Sequence, residues 1–188
     1  VAEKRVLSVD LPLSTKPGKP ALYRVADSNL RLYLAALRSA QEQARRGRPD
    51  SAFDVVLRRW PAWRGRAVEP LVRESLEPAA IAGDLPWADT EAVGGWWNRR
   101  FDPEVDLVGA DRPPVAGSVH FAGSIKWPDS AFDAHDLAAL TRAAPQIPGF
   151  VPGTSGLVVA SRSGVALPPG AVDVVWSPAD VLAAWPAG

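Results

Sequence analysis

The chain has 188 residues, and 47% hydrophobic against 22% charged content suits one or two small globular domains and excludes a disordered polymer. Its 21 cations balance 21 acids, so the chain as a whole is no polycation and a nucleic-acid contact would need a local basic patch. Cysteine is absent, which excludes disulfides, thiol catalysis and thiolate-bound zinc. No apolar run approaches the roughly 20 residues of a membrane span, and the start VAEKRVLSVD lacks the apolar region of a signal peptide. A cytoplasmic protein is expected. Methionine is absent too, so the chain is expected to be a processed or truncated piece of a longer protein.

Residues 4–25 read as a β-hairpin, with β-prone flanks around a Pro-Gly-Lys-Pro tip. Lys4, Arg5, Lys16 and Lys19 could meet phosphate there, although lysines at a turn are usually just solvated. Asp27 or Ser28 caps a helix from about Asn29, with Leu30, Tyr33, Leu34 and Leu37 forming one apolar stripe that is core or partner surface. Arg45, Arg46 and Arg48 cluster where Gly47 and Pro49 should stop it, and cations suit a helix C-terminus. A second helix is predicted over Ser51–Arg59, ending before Pro61, with Trp60 and Trp63 packed between it and the next. A third should start near Ala67, since Pro70 belongs in a first turn. Its buried face would be Val68, Leu71, Val72, Ser75 and Leu76. Glu69 would then sit at the helix start, where the dipole favours a carboxylate.

Residues 87–100 read as a strand with a bulge or close approach at Gly94-Gly95. Phe101 to Trp127 reads as two further strands joined by a Gly- and Pro-rich loop. Glu104, Asp106 and Val108 share one face of the first. Ser118, His120, Ala122, Ser124 and Lys126 share one face of the second. Antiparallel pairing would set Asp106 near Ser124 and Glu104 near Lys126. A helix follows with Leu137 and Leu140, preceded by capping candidates Asp133 and Asp136, and His135 fits that cap better than a metal. GTSGLVVAS reads as a buried strand, VDVVW as another, and Ser177 caps a last helix. The chain is thus an α/β domain with a mixed sheet, preceded by a helical extension. Its segments are a hairpin over 1–26, a helical extension over 27–64 and the α/β domain over 65–188.

Asp106 on one strand and Ser124-Ile125-Lys126 on the next resemble the core of the PD-(D/E)XK, restriction-endonuclease-like nucleases. In that family an Asp and an acidic-x-Lys bind a divalent metal and position water. Ser124 departs from the pattern, because a neutral hydroxyl is a poor ligand for a hard cation such as Mg2+. The runs LYRVADSNLRLYL, GRAVEPLVRESL, VGGWWNRRFDPEVDLVG and FAGSIKW, in this order from about Leu22 to Val159, also resemble the C-terminal domain of archaeal and bacterial AAA-type ATPases. That resemblance implies an upstream ATPase domain and makes the hairpin the wing of a truncated winged helix. No G-x-x-x-x-G-K-[ST] occurs, so ATP would belong to the upstream domain.

Two functions follow from the resemblance. In one, Asp106 and Glu69 hold Mg2+, Glu104 replaces the missing acid, and Lys126 stabilises negative charge or helps deprotonate water in a phosphodiesterase. His120, on the same strand face, is a weak further candidate. In the other, the fold is a degenerate nuclease kept as a DNA- or protein-binding regulatory module, and Asp106 and Lys126 are structural. Ser124 weighs toward the second. The partners expected are the upstream ATPase domain and DNA, with room for a second copy and no membrane.

Overall fold

The computed structural model of the chain describes residues 6–17 and 20–185. The expected roles of Lys4, Arg5 and Lys19 lie outside these. The chain forms two compact units, one from Val1–Asp10 with Leu22–Val68, the other from Leu11–Ala21 with Glu69–Gly188.

In the first unit, β1 (Leu7–Asp10) and β2 (Leu22–Val25) pair antiparallel, with Arg24 and Asp10 in contact at 2.9 Å. The residues between them are not a simple hairpin turn, because Leu11–Ala21 belongs to the other unit. Asp27 caps α1 (Ser28–Leu32) by accepting from the Leu30 N–H. The helix runs on through a π-turn (Tyr33–Leu37) into α2 (Arg38–Arg45). Gly47, at φ 72°, ends it with paired bonds from Gly47 N to Ala44 O and Arg48 N to Gln43 O. This is the Schellman arrangement that glycine permits at low cost.

The two helices expected over 51–59 and from 67 onward are one, α3 (Pro49–Ala82), which passes through Pro61 and Pro70. A proline inside a helix removes a hydrogen bond and leaves a carbonyl four residues back without its donor. At Pro70 that carbonyl belongs to Arg66, and Arg31 Nη1 reaches it at 3.5 Å. Trp60 and Trp63, expected between two helices, instead lie on α3 with ring centroids 4.8 Å apart. Glu69 is therefore in mid-helix, and the dipole of a helix start does not account for it. Leu71, predicted buried, is exposed, whereas Val72, Ser75, Leu76 and Ala80 are buried.

The second unit holds a five-stranded sheet in the order β3 (Ala92–Trp97), β4 (Glu104–Ala110), β5 (Val119–Lys126), β6 (Gly156–Ser161), β7 (Val174–Trp176). β3, β4 and β5 pair antiparallel, while β5, β6 and β7 pair parallel. The parallel step from β5 to β6 needs a crossover, supplied by α4 (Ala134–Ala143) and a short 3-10 turn (Ala144–Gln146). Ser177 caps the last helix, α5 (Pro178–Ala183).

β3 is shorter than the strand expected over 87–100, and its register shifts between Gly94 and Trp96. A Cβ at Gly95 would stand 2.6 Å from the Arg73 guanidinium, so that side chain would have to shift to admit one. Val108, Ala122 and Val159 pack on one face with Phe132, Leu140 and Ile147. Leu107, Phe121 and Val158 are fully buried on the other, where the Phe121 ring meets Trp87 at 5.0 Å. Three hydrogen bonds of 2.9 Å fasten the second half of α3 to the sheet: Arg73 Nε to Asp106 O, Val93 N to Glu77 Oε2, and Trp176 Nε1 to Ser75 Oγ. Residues 11–17 pack at its edge, with Leu13 N donating to Gly95 O and Thr15 N to Pro148 O. The chain is thus mixed α/β, with a five-stranded mixed sheet flanked by helices in one unit and a small two-stranded hairpin in the other. No helix among the described residues is long and apolar enough to cross a membrane.

Candidate functional site

The antiparallel register Leu107↔Gly123, Val108↔Ala122 carries on to place Asp106 opposite Ser124, as the alternation of side chains predicts. β4 pairs with β5 only from Leu107 onward. Beyond that point the Asp106 side chain takes over from the backbone. Its Oδ2 accepts the Ile125 N–H at 2.8 Å and the Ser124 hydroxyl at 3.1 Å. Burial pushes the Asp106 carboxyl above the ordinary aspartate range, and the negative charge of Glu69 pushes the same way. The bonds from Ile125 and Ser124 and the Arg73 cation oppose this without cancelling it.

Lys126, two residues on and on the same face, points to α4. Its Nζ meets Asp136 Oδ2 at 2.5 Å, with both side chains about three-quarters buried. The same Asp136 oxygen accepts the Asp133 N–H, while Asp133 Oδ1 accepts from the N–H groups of His135 and Asp136. This is a reciprocal capping box at the start of α4. Burial alone would raise the Asp136 carboxyl, but the Lys126 and Asp133 donors outweigh it and hold it below the ordinary value.

The sequence predicts Asp136 only as a cap. Its partnership with Lys126 depends on where α4 crosses the sheet, which no local pattern records. Replacing Asp136 by alanine removes a cap and strands the ammonium. The expected cost is about 1–2 kcal/mol at neutral pH, read from urea unfolding. Because the Asp136 carboxyl is held low, its contribution is complete above the ordinary value of 3.8 and is lost as pH falls below it. The wild-type and Asp136→Ala curves should therefore converge in acid.

A cleft of about 320 Å³ opens beside this pair, lined among others by Asp102, Glu104, Asp106, Ser124, Asp136 and Leu140. Glu104 is exposed at the cleft, and its expected neighbour Lys126 is engaged by Asp136 instead. Glu69 and Lys126 are not among the lining residues. Glu69 acts on Asp106 through charge. His120 also lies elsewhere. Its Nδ1 bonds Thr90 Oγ1 and its Nε2 bonds Ser118 Oγ, each at 2.8 Å, so both ring nitrogens are engaged away from Ser124. His135 is exposed at the α4 cap.

Among the described residues no group of three or more histidine or acidic side chains comes together in a way that could hold a metal ion. Three of the oxygen donors at the cleft match Mg2+ poorly. Asp106 is held by two protein donors in a setting that favours its neutral form, Ser124 is uncharged, and Asp136 is neutralised by Lys126. No family model, curated protein or solved structure matches the chain.

Proposed function

We propose that this chain is a binding and regulatory module on a restriction-endonuclease-like fold, in which the nuclease constellation has been rewired into structural contacts. The observation that carries this reading is the engagement of Asp106 by Ser124 and Ile125 together with that of Lys126 by Asp136. A metal nuclease needs that carboxylate free to bind a cation and that ammonium free to meet developing charge. Both are spent on protein groups here. In this reading the chain is the C-terminal part of a AAA-type ATPase, the β1–β2 pair is what remains of a winged helix, and the module acts on DNA or protein for the upstream domain.

A second reading, a Mg2+-dependent phosphodiesterase with an altered site, draws on one observation. The cleft is open beside Asp106 and carries Asp102 and Glu104 as further carboxylates. Calorimetry with Mn2+ and Mg2+ on the chain and on Asp106→Ala separates the two. The module predicts no heat that depends on Asp106, and no cleavage of single-stranded, duplex or branched DNA. Micromolar to low-millimolar binding lost in Asp106→Ala, with cleavage lost in Lys126→Ala, would establish the nuclease instead.

A further inference from the structure

We propose that the β3–β4 loop, residues 98–103, binds single-stranded nucleic acid, with a base stacked on the Phe101 ring and the flanking phosphates held by Arg99 and Arg100. This deepens the module reading, on which it rests, by placing a nucleic acid at a named surface of the sheet unit.

The observation behind it is the backbone of Phe101. Its φ of 56° lies in the left-handed region, and among the described residues it is the one non-glycine with a positive φ. A bulky side chain rarely adopts that conformation. Strain of this kind persists only where the surroundings enforce it, and it gathers at ligand-binding sites. Asn98 enforces it here. Its Oδ1 accepts the Arg100 N–H at 2.8 Å and the Asp102 N–H at 3.2 Å, and its Nδ2 donates to the Asp102 carbonyl. The Asn98 carbonyl accepts the Phe101 N–H at 3.1 Å.

This clamp makes the ring a fixed platform. Phe101 lies nearly parallel to Trp97, with 14° between the planes and 6.3 Å between centroids. Trp97 is buried, and its Nε1 donates to the Pro20 carbonyl at 2.9 Å. One face of Phe101 is thus backed by an anchored indole, yet the residue stays 43% exposed. Shielding Trp97 accounts for the backed face alone. A flat ring with an open face is a stacking surface, and every base has a π-face to set against it. Holding the ring in place before a ligand arrives lowers the ordering cost of binding.

The two residues before Phe101 supply cations. Arg99 and Arg100 are exposed, and neither forms an ion pair with another described residue. The acids that follow, Asp102 and Glu104, line the sheet cleft, whereas Arg99, Arg100 and Phe101 do not. The loop therefore parts its charges between two surfaces. A guanidinium fork matches phosphate geometry, and an aromatic ring beside such cations is the make-up of a single-strand site. A duplex keeps its base faces stacked inside the helix, so the platform selects an unpaired strand.

Fluorescence anisotropy on the full chain in EDTA tests this with labelled probes of about 16 nucleotides. One is a thymidine strand, one has the same phosphates on abasic sugars, and one is a duplex. The thymidine strand should bind about tenfold tighter than the abasic strand, and tighter than the duplex. Phe101→Leu should bring the thymidine strand down to the affinity of the abasic one and leave the abasic strand unchanged. The double variant Arg99→Ala, Arg100→Ala should weaken both single strands alike and reduce the slope of log affinity against log salt by about 1.4. No binding at low salt, equal affinity for the thymidine and abasic strands, a preference for the duplex, or an unchanged thymidine affinity in Phe101→Leu would overturn the proposal. The comparison of strands uses the unaltered protein, so it decides even where a variant fails to fold. EDTA keeps a cation at Asp106 out of the test: Asp106-dependent metal binding defeats the module reading, whereas equal strand affinities defeat this proposal alone.

Discussion

Gly123→Ala should be among the most destabilising single substitutions in the chain, lowering stability by about 3 kcal/mol or more. A Cβ at Gly123 would stand 2.3 Å from the main-chain oxygen of Val158 and 3.1 Å from the Leu107 Cβ. The first contact is with backbone, in the parallel pairing Gly123↔Val158 at the middle of the sheet. A flexible side chain could swing away, but this carbonyl moves only if β5 and β6 separate, and both Leu107 and Val158 are fully buried. Gly65 provides the opposite control. It lies inside α3 with nothing within 4 Å of an added Cβ. There alanine should stabilise by about 0.5–1 kcal/mol, because glycine disfavours helix through the entropy of the unfolded chain. Urea unfolding of both variants reads the two signs. A Gly123→Ala midpoint equal to that of the wild type would mean that β5 and β6 are not paired in this register.

Where one residue's neighbours on the chain determine its geometry, the sequence was readable. Asp27, Asp133 and Ser177 cap helices because each stands next to the free N–H groups that it satisfies. The bulge at Gly94-Gly95 and the facing of Asp106 and Ser124 follow from glycine's lack of a side chain and from strand alternation. The continuity of α3 did not follow. Pro61 and Pro70 are local helix breakers, and help for the second arrives from Arg31, far away in sequence. The β1–β2 pairing follows from the β-prone flanks, whereas the burial of Leu13 and Ser14 in the sheet unit does not, because a Pro-Gly turn signal carries no record of distant contacts.

The site divides in the same way. Ser124 in place of an acid was visible at once and pointed away from metal chemistry. The partners of the two charged groups were not visible. Lys126 finds Asp136 ten positions on, because α4 returns across β5. Asp106 finds the Ile125 N–H because the β4–β5 ladder ends one residue earlier. In the sequence Glu69 suits both a helix start and a metal site, but in mid-helix its negative charge makes ionisation of Asp106 harder.

That effect gives the second large expectation. The Asp106 carboxyl is raised above 3.8 in the folded chain, so between that value and its folded pKa the native state keeps a proton that the unfolded state has released. Stability from this group therefore falls as pH rises through that window and stays reduced above it. Asp106→Asn keeps an oxygen for the Ile125 and Ser124 donors and cannot ionise. Its gain over the wild type should be absent in acid, grow through the window, and level off above it. Asp106→Ala should shift stability the other way, because it leaves both donors without their acceptor, at about 1–3 kcal/mol for each that stays dry. Glu69→Gln, which removes a nearby negative charge, should move the window to lower pH. The measurement is the urea midpoint of these variants across the acid-to-neutral range, repeated with Mg2+. If Mg2+ raises the wild-type midpoint but not that of Asp106→Asn, the ion binds the native carboxylate, and the nuclease reading displaces the module. Without such a shift, and with Asp106→Asn the more stable protein at neutral pH, the carboxylate is a cost that the fold carries without recovering it through a bound cation.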